Sequence, residues 1–344
     1  ILHVRRELNN HLFGGGFRVM TTQIVASKLN GELAVAQVET ILLAALALLG
    51  LALFRWAERA SILNSSGVRG VAPARRRPPQ RWVRVAMALF AGGLALFLLL
   101  PHAVLLLISF VPPFTWTAEA FPPVLSLANY RGLLSAERLR PVVNSLWMAT
   151  AATLGALALG FLAARFATRR RGFLSRALEG LIALPWAIPG TVFAMALATT
   201  FSVSQPLALR FVLIGTPWLL PLAYLVRNLP VTGRAALAGL RQLDPALEEA
   251  AASLGAGKVR TFLRVLLPLL RPALAAGAGL AFLAAFGDFV VSILLYTYET
   301  RPVSIEILSS LRLQDLGLAA AYGVVLGFGS ALVFLLWGRD EGAR

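Results

Sequence analysis

The sequence predicts an all-α fold, a polytopic transmembrane helical bundle of about seven helices, and three observations carry that expectation. Of 344 residues 58% are hydrophobic and 14% charged, with a mean hydropathy of +0.74, far from a soluble average. Seven apolar runs are long enough, or nearly so, to cross about 30 Å of hydrocarbon. Basic residues crowd every second connection between runs, the pattern that orients helices in a bilayer.

The runs cover residues 34–54, 85–111, 143–164, 178–200, 209–226, 272–295 and 316–337. The run at 209–226 is the weakest, because Pro217 and Pro221 interrupt it. Without it, however, the connections flanking residues 244–272 fall on opposite faces of the membrane. Connections 55–84, 165–177 and 227–271 hold eight, five and seven Lys or Arg, against three, one and two in the others. Twenty against six places the first set, and the C-terminus after Trp337, in the cytoplasm. Residues 55–84, with Ser65-Ser66-Gly67 and Arg75-Arg76-Arg77-Pro78-Pro79, read as a flexible basic linker. Its arginines serve first as an orientation signal and only second as contacts for anionic membrane lipids.

Composition also excludes function classes. The net charge of +16 resides in short loops without interleaved aromatics, which argues against nucleic-acid binding. With no Cys there are no disulfides, thiolate metal sites or cysteine nucleophiles, and His3, His11 and His102 are too scattered for a metal centre. Gly255-Ala256-Gly257-Lys258-Val259 imitates a phosphate-binding loop, but Ala252 and Val259 stand where Gly and Ser or Thr are required. No catalytic group, cofactor or ATP site is expected. No charged-apolar-small signal segment follows Ile1, so the chain is expected to begin inside a longer reading frame.

Residues 244–272 are the longest polar interruption of the second half. Asp244 can cap a helix, Pro245 fits its first position, and Glu248 and Glu249 suit the positive end of its dipole. Gly255 and Gly257 should stop that helix, and an amphipathic segment with Val259, Phe262, Leu263 and Leu266 should then run to Pro268. The product is a helix-turn-helix between two spans. Glu249-Ala250-Ala251, Gly255 six residues after the Glu, and Val265-Leu266-Leu267-Pro268 resemble the EAA loop of ABC transporter permeases, the inner-membrane components of binding-protein-dependent importers. Val265 stands where that family usually has Ile. The resemblance implies a type I importer permease fold, in which Glu249, Ala250, Ala251, Gly255, Leu267 and Pro268 couple to a dimer of separate ATPase subunits. It also implies a periplasmic or lipid-anchored solute-binding protein as partner.

An internal repeat carries a further expectation. Residues 18–53 align without gaps on 301–336, matching Arg18 with Arg301, Ile24 with Ile307, Ser27 with Ser310, Leu33 with Leu316 and Ala36 with Ala319, and pairing Glu32 with Asp315. Residues 1–54 then read as the end of a first half, and 85–338 as a six-helix second half with the EAA loop at 244–268 and a cytoplasmic tail at 339–344. This arrangement resembles the fused permeases of iron(III)- and thiamine-type importers. Leu12-Phe13-Gly14-Gly15-Gly16-Phe17-Arg18, Gly287-Asp288-Phe289 and Ala319-Ala320-Ala321-Tyr322-Gly323 carry that likeness. A second half is therefore an expected partner, either an upstream segment or the mate in a homodimer.

Two sites stand out within the spans. Leu184-Pro185-Trp186-Ala187-Ile188-Pro189-Gly190 should kink or break its helix, either to line the pathway or to serve packing alone. Asp288 should face a cavity, a partner or the solute, or else be capped by local backbone near the outer interface, because a carboxylate facing lipid costs roughly 2.5–3.5 kcal/mol. Gly155 to Gly160 and Gly277 to Gly279 allow close helix packing. The function these features imply is that of an importer permease in the inner membrane, for iron(III) or alternatively thiamine, polyamine, sulfate or phosphonate. A channel or secondary transporter independent of any ATPase is the rival reading.

Overall fold

The computed structural model describes residues 19–64, 80–113, 115–116, 121–169 and 172–338, and every regular element among them is helical. In chain order these are α1 (Met20–Leu29), α2 (Leu33–Asn64), α3 (Arg81–Ser109), α4 (Ala128–Leu133), α5 (Ala136–Arg169), α6 (Phe173–Ala187) and α7 (Gly190–Thr200). They continue with α8 (Leu219–Gln242), α9 (Ala246–Ser253), α10 (Lys258–Phe286), α11 (Ser292–Leu295), α12 (Val303–Arg312) and α13 (Leu316–Gly338). Residues 12–18, the glycine-rich segment, and 65–79 of the expected 55–84 linker lie outside the described residues; of the rest of that linker, 55–64 continue α2 and 81–84 open α3, so they are helical rather than flexible.

The all-helical membrane architecture stands, with a smaller count of spans. Five helices are long and apolar enough to cross a membrane: Leu33–Leu53 within α2, then α3, α5, α10, and Leu316–Leu335 within α13. The pair α6 and α7 makes a sixth when taken as one span, with 103° between its two pieces. The seventh run, 209–226, is not one helix. Leu209, Arg210 and Gly215 have φ of 50°, 63° and 80°, a left-handed backbone that no helix accommodates, and α8 starts only at Leu219. Pro221 then falls in the first turn of α8, where its missing N–H costs nothing. Because α8 continues to Gln242, the connection expected at 227–271 begins later, and Arg227 and Arg234 belong to this helix.

The chain separates into two compact units, the first comprising Ile1–Leu48, Leu139–Ile305 and Phe328–Arg344. In it α5, α8 and α10 pack through small residues. A Cβ on Gly160 would lie 2.8 Å from the Gly233 nitrogen, and one on Gly277 would lie 2.6 Å from Ala235 Cβ. The Thr232 hydroxyl donates to the Ala156 carbonyl at 2.7 Å across the same contact, so these glycines hold helix backbones together. Toward one end of the three helices Ala164, Ala236, Leu240, Leu266, Leu270 and Leu274 form a buried cluster, flanked by Phe161 and Phe262 with ring centroids 5.4 Å apart.

The second unit comprises Leu49–Arg138 and Glu306–Gly327. Asn129 Nδ2 donates to the carbonyls of Ser109 (3.0 Å) and Val111 (2.8 Å), closing the C-terminal end of α3. Tyr322 Oη donates to the Arg138 carbonyl at 2.6 Å. Helix α3 buries none of its most apolar stretch, and Leu89, Phe90 and Phe97 face outward as a lipid-exposed helix requires.

The repeat is visible as local structure. Adding the alignment offset of 283 to α1, Met20–Leu29, gives Val303–Arg312, the bounds of α12, and adding it to Leu33 gives Leu316, the start of α13. Each pair is joined by the same left-handed cap. Gly31 N–H donates to Lys28 O and Glu32 N–H to Ser27 O, at 3.1 and 2.9 Å. Gln314 N–H donates to Leu311 O and Asp315 N–H to Ser310 O, at 3.1 and 3.0 Å. Gly31 and Gln314 carry the positive φ, 83° and 60°, and Ser27 and Ser310 are both buried.

Candidate functional site: the loop between α8 and α10

Helix α9 forms where the sequence places it. Asp244 Oδ1 accepts the Ala246 N–H at 2.9 Å, and Glu248 and Glu249 occupy the first turn. Its C-terminus closes on Gly255 at φ +77°, with Gly255 N–H donating to Ala252 O and Ala256 N–H to Ala251 O, both at 2.9 Å. These two bonds make the left-handed cap that a glycine permits at little cost.

The following segment departs from expectation. Rather than ending at Pro268, it runs unbroken from Lys258 to Phe286. The residues just before the proline, Phe262–Leu266, form a π-turn, and Pro268 sits in the first two positions of the α-helix that resumes. A widened turn relieves the clash between the proline ring and the carbonyl one turn back, so the helix passes through the proline. The second loop helix is thereby the cytoplasm-proximal or external end of a membrane span, not a separate element.

The expected coupling residues divide into two groups. Glu249, Ala250 and Gly255 are exposed on the outer side of the loop, beside Leu254, which is 89% exposed, and Val259 and Leu263. Ala251 is the buried residue of α9 itself, and Leu267 and Pro268 are only partly exposed, Leu267 packing on the apolar cluster under the loop. The first group is exposed, Glu249 at the edge of the pocket beneath the loop; the second mounts the loop on the bundle.

Sequence reasoning missed the polar part of that mount. Glu248 accepts from Nη2 of Arg165 and, at 2.8 Å, from Nη2 of Arg169, both on the last turns of α5. Partial burial works to raise the Glu248 carboxyl, but the hydrogen bonds and charges of the two arginines outweigh it and hold the group below its usual range. Beside this pair Arg241 Nη2 donates to Glu179 Oε1 at 2.8 Å, and Arg165, Arg176, Glu179, Arg241 and Glu249 border a pocket of about 900 Å³. The partners of Glu248 lie about eighty residues away in sequence, and no spacing rule could have paired them.

The proline-rich segment and Asp288 stand apart from the loop. Helix α6 ends at Ala187 and α7 begins at Gly190, so the expected break is present, with Pro185 inside α6 and Pro189 capping α7. Asp288 Oδ1 accepts the N–H groups of Val291 (2.9 Å) and Ser292 (3.1 Å), so it caps α11. Its carbonyl accepts from the hydroxyls of Ser292 and Ser304, both at 2.7 Å, and Tyr224 Oη lies 2.5 Å from Ser292 Oγ. Of the two readings of Asp288, the geometry contains the local cap.

Comparison with known proteins places the chain in a family. Residues 156–338, which include α9 and its cap, match the family described as binding-protein-dependent transport system inner membrane component. The chain belongs to this family. A probable ABC transporter permease protein, y4fN, of Sinorhizobium fredii is 33% identical over 225 residues, 65% of this chain and 40% of the relative. The ferric transport system permease protein FbpB of Actinobacillus pleuropneumoniae is 33% identical over 207 residues, 59% of this chain and 29% of the relative. The sulfate transport system permease protein CysT of Salmonella typhimurium is 33% identical over 186 residues, 52% of this chain and 66% of the relative. The chain thus spans less than half the length of the first two. A bacterial ABC transporter involved in the import of the acidic polysaccharide alginate has the same fold, with TM-score 0.61 and 18% identity over 76% of this chain and 96% of that one.

Proposed function

We propose that this chain is the permease part of an ATP-binding-cassette importer, and that α9 transmits the work of separate ATPase subunits to the membrane helices. The observation that carries this reading is the two-sided build of the loop. Its outer side offers Glu249, Ala250 and the exposed Leu254, while Ala251 and the Glu248 ion pairs fasten its inner side to α5. An apolar side chain as exposed as Leu254, next to a helix tied to α5 by ion pairs, suits a docking surface that must pass on displacement.

In this reading the loop and the C-terminus are cytoplasmic, as the asymmetry of basic residues favours. Residues up to 54 are the end of one half and 85–338 a second half, a division supported by the shared geometry of α1–α2 and α12–α13. A solute-binding protein delivers cargo at the opposite face, and Pro185, Pro189, Gly190 and Asp288 border the route. Iron(III) is the proposed cargo, from the closing motifs and the FbpB relative, with sulfate next from CysT and thiamine, polyamine or phosphonate after them.

The test is co-purification of the detergent-solubilised chain, intact and as Glu249→Arg, with the ATPase encoded beside it. The intact chain should retain the ATPase and the variant should lose it while remaining helical and monodisperse. Retention by both, or by neither, contradicts docking through α9.

A further inference from the structure

An arginine of α8, Arg227, faces the break between α6 and α7. Arg227 lies eight residues into α8, about 12 Å from its start at 1.5 Å per residue, and its guanidinium sits against the first residue of α7. A Cβ on Gly190 would come 2.8 Å from Arg227 Nη1 and 3.0 Å from Val290 Cγ1, so a larger residue there would displace the guanidinium from its present position. Among the described residues Nη1 is enclosed and has no hydrogen-bond partner. Thr191, on the same first turn of α7 and 2% exposed, has a hydroxyl that is likewise buried without a partner. No side chain caps α7, whose first bond within the helix is Phe193 N–H to Pro189 O at 3.0 Å. The first-turn N–H groups therefore add their positive end to the guanidinium.

The nearest counter-charge does not close this site. Asp288 is within Coulombic reach of Arg227, but the two form no ion pair, and Asp288 Oδ1 is committed to the N–H groups of Val291 and Ser292. A guanidinium nitrogen enclosed without a hydrogen-bond partner is unfavourable unless an acceptor, best an anion, completes its bonds.

We infer that Arg227, Gly190 and Thr191 form an anion-binding subsite on the solute route, taking an oxyanion or carboxylate group of the cargo. Arg227 supplies a charge-assisted bond from Nη1, Thr191 a hydroxyl, and the first turn of α7 its free N–H groups. Gly190 is the gap through which the guanidinium reaches that turn. The inference rests on the permease reading and narrows its cargo: the unpartnered guanidinium nitrogen offers a bond to sulfate, or to a metal carried within an anionic complex, and none to a bare cation.

The test is binding by the full chain in detergent without any ATPase, read as the thermal shift produced by sodium sulfate against sodium chloride at equal ionic strength. Intact protein should be stabilised by sulfate in a saturable way. Arg227→Gln and Gly190→Ala should bind roughly tenfold or more weakly, with Arg227→Lys intermediate and Arg234→Gln, on the same helix, unchanged. If Arg227→Gln does not fold, the Lys and Gly190→Ala variants carry the comparison. No shift with sulfate, or equal shifts in all variants, overturns the inference. An anionic phospholipid added in place of sulfate separates the two sources of such a group, and a shift with lipid alone also overturns it. Because the ATPase is absent, failure here leaves the docking test of α9 untouched.

Discussion

Replacing Glu248 by Ala removes the polar half of the mount beneath α9, and the size of the effect follows from exposure. The Arg165 side chain is 22% exposed and the Glu248 side chain 33%, so that pair lies partly out of water and contributes about 1 kcal/mol, the upper end for accessible pairs. Arg169 is 54% exposed, and its bond adds about 0.3 kcal/mol. Together they come to about 1.3 kcal/mol, close to a tenfold change in a local opening equilibrium. Amide hydrogen exchange across residues 246–253, measured in detergent, should accelerate about tenfold in Glu248→Ala while the centre of α10 is unaffected. The pH dependence has a definite sign. The folded carboxyl titrates below its free value of 4.5, so its contribution is complete above that value and is lost as pH falls through the depressed folded one. Unchanged exchange in Glu248→Ala, or acceleration spread equally over α5, α8 and α10, would refute the idea that these pairs hold the loop locally.

Other substitutions report on different parts of the account. Gly160→Ala should lower thermal stability by about 1–3 kcal/mol, because the new methyl meets the backbone of Gly233, whereas Gly180→Ala, with nothing within 4 Å, should not; melting curves distinguish them. Gly255→Ala, at φ +77° but in open space, should cost about 1–2 kcal/mol through backbone strain alone and weaken ATPase retention more than it lowers the melting temperature. Asp288→Ala should cost about 1 kcal/mol as a lost cap, and Asp288→Asn, which keeps an acceptor, should cost less. If Asn is as destabilising as Ala in the melt, charge rather than capping is what Asp288 provides.

Much of this architecture was legible because it depends on local rules. The cap at Asp244, the stop at Gly255 and the break at Pro189 each follow from the chemistry of one or two residues, and the structure contains all three. The repeat was legible for the same reason: a short helix, a left-handed turn and a new helix recur at a fixed offset. The errors came where hydrophobicity was asked to define helix ends. Residues 209–218 are apolar, yet the left-handed residues Leu209 and Arg210 keep them out of a helix, and neither residue type announces that backbone. Pro268 signalled a stop that the π-turn before it cancelled. Arg227 follows the end of an apolar run at 226 and so reads from sequence as a loop residue; its place against Gly190 depends on α7 and α8 lying side by side. The ion pairs of Glu248 depend on tertiary contact in the same way.

The most direct test of the central proposal uses the absence of cysteine from the chain, which makes any introduced thiol unique. Ala250→Cys places one on the exposed side of α9, and Leu209→Cys places one on an exposed residue of the loop before α8. Both would be treated with a short bifunctional cross-linker in membranes that contain the partner ATPase. The account predicts an adduct between the chain and the ATPase from position 250 and none from position 209. An ATPase adduct from position 209, or none from position 250 while the complex still co-purifies, would contradict it.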